Sequence, residues 1–247
     1  MENSWINIEG ELIKVDDTPI LLKELNLLPL FLRRFLERNF IKNISPSKED
    51  QIKYYKQFLN REKITDKDSL ANWLKMSSLS ESDLEIKIYN SLKLEQFKEK
   101  SFGDKVEKLF LNKKSELDRV TYSLIRAKSR EKIFELNLRL KEGEATFPEL
   151  SSEFSEGVEN VLHGLIGPME LGKVNPFIAE RLKASKSGQL WPPFECEGWW
   201  VLLKHERLIP STLNNNMRLR LINEMYEAWI TRKIKKALNS LDKSIKM

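Results

Sequence analysis

The segment from Val120 to Leu208 constrains the fold more than any other, because strand and helix signals alternate along it in one short span. Val120–Ile125 is β-branched and aromatic, the composition of a strand. Ser129–Leu140 spaces Ile133, Phe134, Leu136, Leu138 and Leu140 among charges, which predicts a helix closed near Gly143. Phe147–Phe154 carries proline in its first turn and predicts a second helix. His163-Gly164-Leu165-Ile166-Gly167-Pro168 reads as a glycine-bounded strand, and Asn175-Pro176 as the start of a helix over Phe177–Leu182. Trp191–Glu195 and Trp199–Lys204 then make a final hairpin about Cys196-Glu197-Gly198. The expected class is α+β.

Composition removes several kinds of chemistry. A chain of 247 residues that is 40% hydrophobic has enough apolar matter for a sizeable core and two domains. The single cysteine, Cys196, excludes an intrachain disulfide and suits a reducing compartment. With only His163 and His205, a site of three histidine ligands is impossible, and no Cys or His cluster has zinc spacing. Phosphate-cradling and dinucleotide-binding glycine loops are missing, so no metal and no cofactor are expected. Met1–Gly10 is acidic, lacks the basic start and apolar run of a secretory leader, and sets the expectation of a cytoplasmic protein.

Upstream, the pattern is helical. Pro19–Phe40 is too apolar for an exposed helix, requires a partner, and should be kinked or divided at Pro29. Ser45 with Pro46, or Ser47, caps a helix reaching Phe58; Thr65-Asp66 opens one through Leu74; Ser80-Glu81-Ser82-Asp83 leads into Leu84–Phe97. A break at Lys100–Asp104 precedes a further helix through Leu111. At the other end, Met217–Leu241 repeats apolar residues at 221, 225 and 229 and at 222, 226, 230 and 234, a broad stripe suited to packing back on Pro19–Phe40. The competing reading makes Met217, Met225, Tyr226 and Trp229 a docking face for another protein. From Lys204 onward there are ten Lys or Arg against four Asp or Glu, so the chain is basic only at its tail. Cations near a helix C-terminus favour its dipole, and neither nucleic acid nor membrane is an expected partner.

The helix ending E-G-E-A-T-F-P-E-L, the pair Phe154-Ser155, the H-G-L-I-G loop and the G-Q-L-W-P-P-F-E-C-E-G-W-W-V-L-L hairpin together resemble the parvulin, or rotamase, family of peptidyl-prolyl isomerases. The flanking helices resemble the lobe of SurA-type and PrsA-type foldases, in which such a domain is inserted between an N-terminal helical module and a closing C-terminal helix. The resemblance implies a helical lobe over 1–118, a parvulin-like domain over 119–208 with a four-stranded antiparallel sheet surrounded by helices, and a linker and closing helix over 209–247. It implies isomerase activity on unfolded or proline-containing polypeptides, with Ile166, Val174, Phe177 and Ile178 as the walls of a proline pocket. The family's polar positions fall on Ser123, Gly157 and Trp200, where the two usual histidines are replaced. Rotation about an X–Pro bond needs no nucleophile, so the substitutions imply weak activity; the alternative is an inactive chaperone or docking module.

Overall fold

The structure is a computed structural model that describes residues 5–8, 11–14 and 17–245. Short side chains begin three of the helices in its first half. Ser47 accepts from the Asp50 amide ahead of α3 (Lys48–Arg61), Asp66 and Ser69 form a reciprocal cap on α4 (Lys67–Ser77), and Ser80 and Asp83 do the same for α5 (Glu81–Phe102). Pro29 divides rather than kinks the preceding segment: α1 (Thr18–Glu24) stops, Asn26 takes positive φ, and α2 (Leu28–Ile41) starts with the proline in its first turn. Ahead of these helices, β1 (Trp5–Ile8) and β2 (Glu11–Lys14) pair as an antiparallel hairpin. At Gly103 a 3₁₀ turn ends α5, five residues beyond the expected Phe97 end, and α6 (Val106–Leu117) follows.

The chain divides into two compact units, one running to Val106 and resuming at Arg218, the other Glu107–Met217. The second is longer at both ends than the 119–208 expected. Asp118, just past α6, accepts from the Ser211 amide and hydroxyl and from Lys114 Nζ, which ties both flanks to the sheet's own unit.

In the first unit, α10 (Asn215–Ile245) packs on α2 and α5. Leu221, Ile222, Tyr226 and Ile230 are buried, and Trp229 lies among the rings of Phe40, Phe97, Phe102 and Tyr226. Lys98 Nζ donates to Asn223, and Arg218 pairs with Glu99. The docking-face reading of this helix is therefore corrected. Tyr226 and Trp229 are spent inside the lobe, because Pro19–Phe40 is too apolar to stand without them.

The second unit is a four-stranded antiparallel sheet in the order β4-β3-β6-β5: β3 (Arg119–Ala127), β4 (Leu165–Glu170), β5 (Phe194–Cys196) and β6 (Trp199–Ile209). β5 is shorter than the expected Trp191–Glu195 strand because Pro192 and Pro193 cannot donate to a ladder. Glu197 and Gly198, both at positive φ, make the two-residue turn into β6. Side chains alternate across the sheet and build two cores. On one face Val120, Tyr122, Leu124, Val201 and Leu203 meet α9 (Pro176–Lys183) and the loop before it. On the other, Ile125, Ala127 and Leu202 meet α7 (Arg130–Glu142) and α8 (Phe147–Phe154).

Candidate functional site

The α9 face of the sheet carries an apolar cluster. Asn175 Oδ1 accepts from the Phe177 amide and starts α9 with Pro176 in its first turn. That start turns Ile178 down into the core and leaves the Phe177 ring 58% exposed. Val174, just before, is buried, and Ile166 enters the same cluster from β4, where it pairs with Tyr122. Three of the four predicted pocket residues thus share one floor, with Phe177 beside them at the surface. Trp191, Phe194 and Trp199 pack half-buried against the cluster. Trp191 is held by an indole bond to Ser185 Oγ at 2.6 Å, and Phe194 by the Arg181 guanidinium at 3.9 Å.

A polar clamp lies beside the cluster. The segment after α8 closes onto β3 through the Glu156 amide to the Arg126 carbonyl, and through the Arg126 amide to Ser155 Oγ. Ser155 Oγ also donates to Glu159 at 2.7 Å, and Arg126 Nη2 meets the other Glu159 oxygen at 3.1 Å. Glu159 is only 3% exposed, so its charge is balanced inside the protein. Gly157 lies against this pair: a β-carbon there would collide with Arg126 Nε and both Glu159 oxygens. Arg126 and Lys128 both lie over the Trp199 ring, the ammonium at 3.7 Å. Burial first, and the Glu159 carboxylate second, push the Tyr122 phenol up, so it is a neutral hydroxyl at physiological pH.

Ser123 and Trp200 are not in this cluster. They point to the opposite face, where Ser123 Oγ donates to Glu206 at 2.8 Å and Trp200 packs edge-on to Phe134. The expectation that Ser123, Gly157 and Trp200 converge is corrected by strand parity: residues an odd number of places from Tyr122 or Trp199 face α7 and α8. What the strands present to the α9 face instead is Tyr122, Leu124 and Arg126, and Trp199, Val201, Leu203 and His205. The missed residues carried a signal, since parity with Val120 and Leu124 selects Tyr122 and Arg126.

His205 lies one residue past the expected Lys204 end of the last strand. β6 runs on to Ile209, so His205 is opposite Tyr122 at 2% exposure, with neither ring nitrogen hydrogen-bonded. An unpaired buried polar group costs about 1–3 kcal/mol. His205→Leu is expected to raise stability by about 1 kcal/mol in urea unfolding followed by circular dichroism; an unchanged or lower midpoint would show that the imidazole has a partner in solution. His163 is exposed, as a loop histidine should be, with Nδ1 2.6 Å from Ser152 Oγ. Among the described residues no group of three or more His, Cys, Asp or Glu is placed to hold a metal.

Residues 113–207 match the family model of the PPIC-type PPIase domain, the rotamase family. Chaperone SurA of Colwellia psychrerythraea is 35% identical over 98 residues, which are 38% of this chain and 23% of that protein. The chain thus matches about a quarter of the length of this curated relative. Among solved structures, the peptidylprolyl isomerase PrsA from Bacillus cereus superposes with a TM-score of 0.51 at 16% identity, covering 96% of this chain and 93% of its own. PrsA from Bacillus anthracis gives 0.46 at 18% identity, covering 85% and 97%. The Bacillus cereus likeness shows a shared fold.

Proposed function

We propose that residues 113–207, a domain of the PPIC-type PPIase family, catalyse rotation about X–Pro bonds of polypeptide clients, within a foldase of the SurA and PrsA kind. The observation that carries this reading is the apolar cluster on the α9 face, with Ile166, Val174 and Ile178 gathered together and Phe177 beside them at the surface.

The chemistry asks for little more. The barrier of about 18–20 kcal/mol comes from amide resonance, which also makes the planar imide more dipolar than the twisted one. An apolar groove that strips water from the imide therefore favours the twisted state over the planar one, and this difference is what accelerates rotation. As resonance is lost the imide nitrogen gains basicity, and a hydrogen-bond donor beside it lowers the barrier further. The Arg126 guanidinium, fixed between Glu159 and Trp199, is the donor closest in kind to that task. Without a histidine pair in the groove, we expect slow catalysis.

Exchange spectroscopy by NMR on a proline-containing tetrapeptide tests the reading. The protein should accelerate cis/trans exchange. Phe177→Ala, which removes an exposed ring and leaves the core intact, should cut the catalysed rate about tenfold, equivalent to about 1.4 kcal/mol of lost transition-state binding. Peptide that binds the groove without faster exchange would sink the isomerase and leave the second reading, a chaperone that keeps the groove. The replacement of the family's two histidine positions by Ser123 and Trp200 favours that second reading, and it predicts suppressed aggregation of unfolded chains with no effect on proline exchange.

A further inference from the structure

The sheet has a concave surface on the face away from the α9 cluster. A cleft of 790 Å³ opens between the end of α7, the start of α8 and the segment leading into β4. That volume lies in the range of ligand sites, about 300–1,000 Å³. On this face the sheet is apolar at one end, where Ile125, Ala127 and Leu202 meet the helices. At the cleft the same face turns polar: Ser123 pairs with Lys204 across the strands, and Glu206 follows.

These three side chains form one fixed unit. Glu206 Oε1 accepts from Ser123 Oγ at 2.8 Å and from Lys204 Nζ at 3.1 Å, and Ser123 is buried. An ammonium and a carboxylate thus stand side by side on the cleft floor. Their charges cancel, so a free anion meets Glu206 and a free cation meets Lys204, and neither is favoured. A neutral dipole is. The carbonyl of a peptide unit accepts from the ammonium while an amide N–H donates to the carboxylate. The walls supply the rest of the fit: Leu140, Phe147 and Leu190 line the interior, and Leu162 and Leu165 form a rim, 62% and 48% exposed. Val158 and Val161, a few residues before Leu162 in the chain, are exposed as well.

We propose that this cleft binds an extended polypeptide segment, its backbone on the Lys204–Glu206 pair and an apolar side chain among the leucines. The inference rests on the reading of the protein as one that handles polypeptide clients, and makes the sheet two-sided: proline on one face, a proline-independent grip on the other.

The test uses the full chain and a capped, proline-free pentapeptide of alanine, leucine and phenylalanine, titrated by NMR. Amide shifts at Ser123, Leu190 and Lys204 are expected, with affinity weakened at least tenfold by Leu162→Asp, an exposed position that leaves the fold alone, and unchanged by Phe177→Ala. Lys204→Met should weaken it as well, by removing the donor to the peptide carbonyl. Shifts confined to Val174, Phe177 and Trp199, shifts only in the helical lobe, or no shifts at millimolar peptide would overturn the second site. Because the probe lacks proline, any of those results stands apart from the tetrapeptide exchange experiment. A protein that still accelerates that exchange keeps its isomerase reading and loses only this one.

Discussion

Tyr226→Ala is expected to lower the stability of the helical lobe by about 4 kcal/mol, within the range for truncating a large buried aromatic side chain. The ring is 0% exposed and packs against Phe102 and Trp229, and its hydroxyl donates to Glu37 Oε1 at 2.9 Å. Burial first, then the bond to Glu37, push the phenol up, which keeps it a neutral donor. Glu37 is itself buried, with Arg33 and Arg34 as its other partners, so the truncation opens a cavity and takes one of three donors from a carboxylate out of water. Tyr226→Phe separates the two losses and should cost only about 1–1.5 kcal/mol. Urea titration followed by NMR should show lobe signals such as Leu84 and Ile230 lost early in Tyr226→Ala while Leu124 and Leu203 of the sheet persist. Equal midpoints for Tyr226→Ala and wild type would mean that α10 does not close the lobe in solution.

The same helix shows how far patterns in the chain carry. The stripe at 222, 226, 230 and 234 and the over-apolar Pro19–Phe40 segment each lack a partner in sequence, and each is the other's partner in the fold. Caps are equally legible, because a serine or aspartate that bonds an amide three residues on acts within one turn: Ser47, Asp66 and Ser80 all stand where short side chains announced them. The pairing of β1 with β2 has a weaker sign, two four-residue runs, W-I-N-I and E-L-I-K, that each carry β-branched residues. Strand parity decides more. The aliphatic pair after Ser123 and the glycine two residues before Trp200 put them in the family's polar positions, but a slip of one residue moves a strand side chain to the opposite face. The alternation of Val120, Tyr122 and Leu124 against Ser123 and Ile125 held the answer. The Arg126–Glu159 pair was not legible, since nothing local links a strand cation to a carboxylate that lies beyond two further helices.

That pair carries the second large expectation. Arg126→Met should cost about 3 kcal/mol, the lower end for stranding a buried charge, because Glu159 keeps only the Ser155 hydroxyl once the guanidinium is gone. The reverse change, Glu159→Gln, should cost less, about 1–2 kcal/mol, since Arg126 has 31% of its side chain exposed and can turn toward water while the amide still bonds Ser155. Combining the two should recover part of the loss, so the double variant is more stable than Arg126→Met alone. A double-mutant cycle in urea reads this directly. Strictly additive costs would mean that the charges do not meet in solution and that Gly157 is not held open by them. Exchange catalysis adds an independent arm. If Arg126 only balances Glu159, the double variant should keep the wild-type exchange rate once folded; if it also donates to the twisting imide, the double variant should fold well and still exchange slowly. Arg126→Lys completes the argument, because a lysine keeps the charge beside Glu159 but not the planar fork that spans Glu159 and the groove, and should retain more stability than exchange.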